Sequence, residues 1–134
     1  EYLQELERII EDKKLNDHVT FLGELGVEEL TKLYQECGLF VFPSTVETFG
    51  NPLVEAMACG APIASSNAAA MPEVLHNAGL YFDPNKVDEI RDIISRLLMD
   101  KDLRQSIGIL AEQRSNEFSW EETEAKTKLA FQIK

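Results

Sequence analysis

The stretch FPSTVETFGNPLVEAMACGAPIASS, Phe42 to Ser66, holds a strand end, a loop, a helix and a second strand. Leu39-Phe40-Val41-Phe42 leads into it as a continuous apolar run. A strand apolar on both faces belongs to a parallel sheet covered by helices on each side. Asn51 reads as a helix N-cap and Pro52 as the first helical residue, where its missing N–H does no harm. The helix is expected over residues 53–59, with Gly60 as the residue just past its end. Pro62-Ile63-Ala64-Ser65 reads as the next strand, its proline at the start or on an edge. Strand, loop, helix, strand in this order predicts a right-handed parallel crossover. In open α/β sheets ligands bind beyond the carboxyl ends of the strands, so the loop 43–50 lies where a ligand would sit.

The flanking sequence repeats the alternation. Leu3, Leu6, Ile9 and Ile10 give residues 2–14 one apolar helical face. Val19-Thr20-Phe21-Leu22 reads as a short strand ended by Gly23. Residues 28–37 read as a helix with Leu30, Leu33 and Tyr34 on one side, stopped by Gly38. After Ser66, residues 72–76 suggest a short helix and Leu80-Tyr81-Phe82 a very short strand. Residues 87–99 form an amphipathic pattern carrying Val87, Ile90, Ile93, Ile94, Leu97 and Leu98. Residues 102–118 form another, interrupted at Gly108. The last helix is expected over 120–133, opened by Ser119 with Glu122 three residues on, the signature of a capping box. The fold class is therefore α/β: a Rossmann-like open parallel sheet with helices on both faces. Such a unit is expected to have a strand and a phosphate-binding turn ahead of the opening acidic helix. Neither stands in this sequence, so the sheet is read as truncated at its N-terminal side.

The bulk properties bound the function. The chain has 134 residues, one ordinary domain, and is 44% apolar and 28% charged, the mix of a globular protein. Thirteen basic against 24 acidic residues give a formal net charge of −11. That excess repels nucleic-acid phosphates and anionic membrane surfaces, so neither is expected as a partner of this segment. Cys37 and Cys59 read as small buried hydrophobes. No Cys/His cluster has metal-ligand spacing, so no metal site is expected. A reducing, cytoplasmic setting fits this cysteine usage.

The chemistry concentrates around the helix start at Asn51. Free backbone N–H groups and the positive end of the helix dipole suit a diphosphate, and Gly50 lets a ligand approach the backbone closely. Glu47 in the loop and Glu55 one turn into the helix bracket this turn. Each has an ordinary explanation taken singly, as a solvated loop residue and a surface helix residue. Together they frame an anion site with two carboxylates, which oppose a diphosphate but accept strongly from sugar hydroxyls. A nucleotide sugar has that layout: an anionic centre with a ribose on one side and the donor sugar on the other.

With these residues in view, the sequence resembles the retaining glycosyltransferases of the GT-B fold, family-four type, also described as glycosyl transferases group 1. Their C-terminal domains carry a Glu-x7-Glu motif, matched here by Glu47 and Glu55. Phe42-Pro43-Ser44, Glu55 to Pro62, Met71-Pro72-Glu73-Val74, Tyr81-Phe82-Asp83-Pro84 and Phe118-Ser119-Trp120 follow in the family's order. The resemblance implies that residues 1–134 are a partial C-terminal, nucleotide-sugar-binding domain of a two-domain enzyme whose N-terminal acceptor domain is absent. It implies that Glu47, as catalytic residue, binds hydroxyls of the transferred sugar. Backbone groups at Phe49, Gly50, Asn51 and Leu53 would hold the donor sugar and phosphates, and Ser44 would line the site. Glu55 would accept from the ribose, and the loop Gly23, Glu24, Leu25 would meet the base. The donor is expected to be a UDP- or GDP-sugar, with no metal and no other cofactor required. The partners are then the donor and the missing acceptor domain. The parent enzyme would be cytoplasmic, or peripheral at the inner membrane face.

The sequence also departs from the family. The basic Arg and Lys pair that steadies the leaving diphosphate has no counterpart; Lys13 and Lys14 are read as solvated helix-end lysines. Asn67-Ala68-Ala69-Ala70 stands where the family often has glycines. Transfer needs a closed cleft between two domains, so the chain alone is expected to be inactive. Two alternatives stand beside this reading. One is a non-catalytic nucleotide-binding module. The other is an α/β interaction domain of receiver type, which the Pro43-Ser44 after the strand, in place of an aspartate, counts against.

Overall fold

The computed structural model describes residues 1–132. In chain order the elements are helix α1 (Tyr2–Asp12), helix α2 (Val27–Glu36), strand β1 (Phe40–Phe42), helix α3 (Asn51–Ala58), strand β2 (Ile63–Ser66), helix α4 (Met71–Leu75), strand β3 (Leu80–Phe82), and helices α5 (Val87–Met99), α6 (Lys101–Ser115) and α7 (Trp120–Gln132). The last position expected for the final helix, Ile133, lies outside the described residues. Among the described residues no helix is long and apolar enough to cross a membrane.

The three strands form one parallel sheet in the order β1-β2-β3. Phe40 faces Ile63, Phe42 faces Ser65, and Ser65 in turn faces Tyr81. Side chains alternate between the two faces of a strand, and the core divides accordingly. Phe40, Phe42, Ile63 and Tyr81 pack with Leu53, Met57, Met71 and Leu75 from α3 and α4 and with Tyr34 from α2. Val41, Ala64, Leu80 and Phe82 pack on the other side with Leu97 from α5 and Ile107 from α6. Both faces are covered, which is why β1 and β3 read as apolar runs and β2, Ile-Ala-Ser-Ser, is buried throughout. Each fully buried Leu or Met here contributes about 1.5–3 kcal/mol relative to an exposed one.

Local sequence sets the element ends. The α3 end is closed by Gly60 at φ +69°; its N–H donates to Met57 O and the Ala61 N–H to Ala56 O, the two bonds of a Schellman motif. Asp100 separates α5 from α6, its carboxylate accepting from the Leu103 N–H at 2.9 Å. Ser119 caps α7 by accepting from the Glu122 N–H at 3.1 Å, while the Glu122 carboxylate pairs with Lys126 at 2.9 Å.

Several expectations from sequence are corrected. Residues 19–22 form no strand: Phe21 and Leu22 are exposed and nothing among the described residues pairs with them. A strand exists only through its ladder, so β-propensity without a neighbour leaves a coil. The helix expected to start at Asn51 as its cap starts one residue earlier, with Gly50 as N-cap and Asn51 already helical. Gly108 does not interrupt α6; the helix runs through it, with Gly108 against the Gly60 carbonyl. The α2 end is made by Cys37 in extended conformation (φ −67°, ψ 138°), before Gly38 is reached. On α5, Ile90, Ile93 and Leu97 face the core, whereas Val87 and Leu98 are exposed.

Candidate functional site at the carboxyl ends of the strands

The site is built where β1 and β2 end. The chain leaves β1 at Phe42 and loops through residues 43–50 into α3. At the turn into the helix Gly50 adopts φ +88°, ψ 57°, the left-handed region that glycine enters without steric cost. A Cβ there would make only ordinary contacts with Leu53 and Phe42, so conformation is what calls for glycine at this position. The Leu53 N–H donates to the Gly50 carbonyl at 2.9 Å, closing the first turn. Of the four N–H groups expected to meet a ligand, that of Leu53 is therefore engaged. Those of Phe49, Gly50 and Asn51 have no acceptor among the described residues.

The two carboxylates are held from different sides. The Ser44 hydroxyl donates to Glu47 Oε1 at 3.2 Å and lies the same distance from the Val46 carbonyl. Glu55 accepts from the Tyr34 hydroxyl at 3.3 Å, across from α2. Burial, followed by the adjacent Glu55 charge, pushes the Tyr34 phenol up to about 12. Burial also raises the thiols of Cys37 and Cys59, the latter with a further contribution from Glu55. Glu47 is half-buried and Glu55 exposed, so both can still accept from a ligand.

Ser66 fixes the loop to the sheet. It is fully buried at the end of β2, donates to the Ser44 carbonyl at 2.6 Å and accepts from the Ala68 N–H at 3.2 Å. One hydroxyl thus ties the loop after β1 to the loop after β2. Beside them, Arg114 of α6 donates to the carbonyls of Glu73 and Val74, each at 3.0 Å, and lies over the Phe118 ring at 4.9 Å. Phe118 meets Phe49 edge to face at 5.7 Å. A cavity of about 610 Å3 opens between the start of α3 and the start of α7, lined in part by Phe49, Asn51, Glu55, Phe118, Trp120 and Lys126.

Of the residues singled out from sequence, the structure brings Ser44 and Glu47 together and sets Phe49, Asn51 and Glu55 along one cavity. Leu53 is wholly buried and acts as core. Gly23, at φ +67°, and Glu24 are exposed and Leu25 is half-buried. Among the described residues no hydrogen bond joins these three to the loop and helix at 43–58. Sequence reading missed Ser66 and the hydroxyl of Tyr34. The first is a small residue at the end of a buried strand and the second lies on a helix face assigned to the core, so neither carried a local signal. Among the described residues no three His, Cys, Asp or Glu side chains are grouped as metal ligands would be.

Comparison with known proteins places this architecture. The family model described as glycosyl transferases group 1 matches residues 1–114. The chain belongs to that family. Within the group 1 glycosyl transferases it is 38% identical over 115 residues to the O-antigen chain mannosyltransferase B of Escherichia coli, covering 86% of this chain and 30% of that relative. The sucrose-phosphate synthase of Thermosynechococcus elongatus superposes with a TM-score of 0.86 at 27% identity, covering 96% of this chain and 33% of the other. HepE of Anabaena, solved in complex with UDP, superposes with a TM-score of 0.80 at 28% identity, covering 87% and 32%. The chain thus spans about a third of the length of these three proteins, and the matches together identify it as a C-terminal domain of a group 1 glycosyl transferase.

Proposed function

We propose that this chain is the donor-binding part of a retaining glycosyltransferase that moves a hexosyl group, mannosyl in the first instance, from a nucleoside diphosphate sugar. The observation that carries the reading is the arrangement around Gly50. Three N–H groups with no acceptor among the described residues stand at the N-terminus of α3, flanked by Glu47 on the loop side and Glu55 on the helix side. The N–H groups and helix dipole favour the diphosphate. The carboxylates favour hydroxyl-rich groups to either side of it. Glu47 would take hydroxyls of the transferred sugar and Glu55 those of the ribose, while residues 23–25 would approach the base. The mannosyltransferase name of the Escherichia coli relative and the UDP bound to the Anabaena structure support the sugar and donor classes.

In this reading the leaving diphosphate accepts the proton of the incoming hydroxyl on the face it departs from, so the anomeric configuration is kept. No metal takes part. The Ser66 bond to Ser44 keeps the loop that carries Glu47 in register with the sheet end, which limits the reorganisation needed as charge develops. Catalysis requires a second, acceptor-binding domain to close over the donor, and the chain by itself binds without transferring.

The test is an amide NMR titration of the chain with UDP, GDP and ADP, then with the corresponding sugars. Shifts are expected at residues 23–25 and 49–55, weakened in Glu55→Ala. Shifts scattered elsewhere, or indifferent to that substitution, would remove the assignment. If a base discriminates, the tightest of the three names the donor.

A further inference from the structure

We propose that Tyr34 is a positioning residue for Glu55, holding its carboxylate in the orientation that receives the vicinal hydroxyls of a ribose. The inference rests on the donor-binding reading above and adds a residue to it. The Tyr34 hydroxyl donates to Glu55 Oε2 at 3.3 Å, joining α2 to α3 across 21 residues of sequence. Tyr34 is 8% exposed, whereas Glu55 is open to solvent. A rigid buried donor therefore grips a long exposed side chain that would otherwise sample several rotamers.

The tyrosine ring is itself fixed. It meets the Phe40 ring edge to face at 5.3 Å, and Phe40 stacks on Phe42 at 5.9 Å. These phenylalanines belong to β1, the strand that delivers the loop carrying Glu47. One strand thus places Glu47 through its loop and Glu55 through Tyr34, so the spacing of the two carboxylates is tied to a single rigid element. A carboxylate offers about four lone-pair positions over two oxygens. Tyr34 occupies one on Oε2 and leaves Oε1 and the outer side of Oε2 for a diol. The phenol remains a donor throughout the neutral range, its ionisation held back by burial and by the Glu55 charge.

A buried tyrosine also needs a partner for its hydroxyl simply to satisfy the core, and the experiment separates the two roles. In the complete protein, dissociation constants for UDP and GDP are compared with those for their 2′,3′-dideoxy counterparts by calorimetry. Tyr34→Phe keeps the ring and its packing, which a thermal melt checks. It is expected to reduce the preference for the ribose form by about three- to tenfold, the size of one hydrogen bond, with affinity for the dideoxy form unchanged. Glu55→Ala is expected to abolish the preference, and Tyr34→Phe should have no further effect in that background. Equal weakening of both nucleotides, loss of the fold, or an additive effect in the double variant would assign Tyr34 to packing alone and overturn the proposal. An intact preference in Tyr34→Phe with a collapsed one in Glu55→Ala would also overturn it, while leaving the donor site standing. An intact preference in Glu55→Ala, or no binding of either ribonucleotide, would overturn the ribose assignment and this proposal with it.

Discussion

Replacing Gly108 by alanine sets two effects of opposite sign against each other. Gly108 lies inside α6, where alanine is favoured over glycine by about 1 kcal/mol from helix propensity. Yet a Cβ on Gly108 would stand 2.7 Å from the Gly60 carbonyl oxygen, well inside the roughly 3.3 Å closest approach of carbon to oxygen. Neither side gives easily. The Cβ is fixed to the α6 backbone, and the carbonyl belongs to the Schellman end of α3, held by the Gly60 and Ala61 N–H bonds. The neighbouring α6 residues Ile107 and Ala111 are buried, so displacing the helix also loosens core contacts. Overpacking of this kind costs about 1–3 kcal/mol, and with both atoms on backbone the upper end applies. Subtracting the propensity gain leaves a net loss of about 1–2 kcal/mol, a fall in Tm of roughly 3–8 °C for a chain of this size. Thermal unfolding followed by circular dichroism measures it. Gln105→Ala, on the exposed side of the same helix, gives the baseline. A Gly108→Ala melt equal to or above the parent's would show that α6 and α3 are not in the close contact described, and the reasoning would fail.

Other consequences follow from the same geometry. Ser66→Ala strands the Ser44 carbonyl and the Ala68 N–H, so a loss of about 1–3 kcal/mol in urea unfolding is expected, with faster amide exchange at Ala68; unchanged exchange would deny Ser66 its tethering role. Ala69 sits at φ +49°, a conformation costing a non-glycine residue about 1–2 kcal/mol. Ala69→Gly should therefore raise stability by about 0.5–1 kcal/mol after the greater chain entropy of glycine is deducted, and a lowered Tm would contradict it. The phenols of Tyr34 and Tyr81 are both pushed up to about 12, chiefly by burial. The folded state then holds protons that the unfolded chain releases near pH 10, so stability is full below that pH and falls as pH rises from about 10 to 12. Urea midpoints across this range should fall less steeply in Tyr81→Phe than in the parent; identical slopes would refute the assignment.

The sequence was most legible where chemistry is local. The run Leu39 to Phe42, Pro52 near the helix start and Gly60 at its end are signals read within one turn of backbone, and β1, α3 and β2 form where they point. The spacing of Glu47 and Glu55 around Gly50 is likewise a property of seven intervening residues. Short-range rules failed where a neighbour in space had the deciding vote. Residues 19–22 have the composition of a strand but no ladder to join among the described residues. Gly108 reads as a helix breaker, yet its roughly 1 kcal/mol penalty is outweighed by the close approach to Gly60 that only glycine permits.

The sequence by itself determined the alternation of helix and strand, the parallel character of the sheet and the position of the loop between β1 and α3, because hydrophobic period and capping residues act over a few positions. Tertiary structure alone decided which groups meet. Tyr34 reaches Glu55 across 21 residues, Ser66 reaches Ser44 across 22, and Arg114 reaches Glu73 across 41. Hydrogen bonds are fixed within a few tenths of an ångström, a precision that residue type and spacing do not carry. It arises only once the two cores have packed and the sheet ends are aligned.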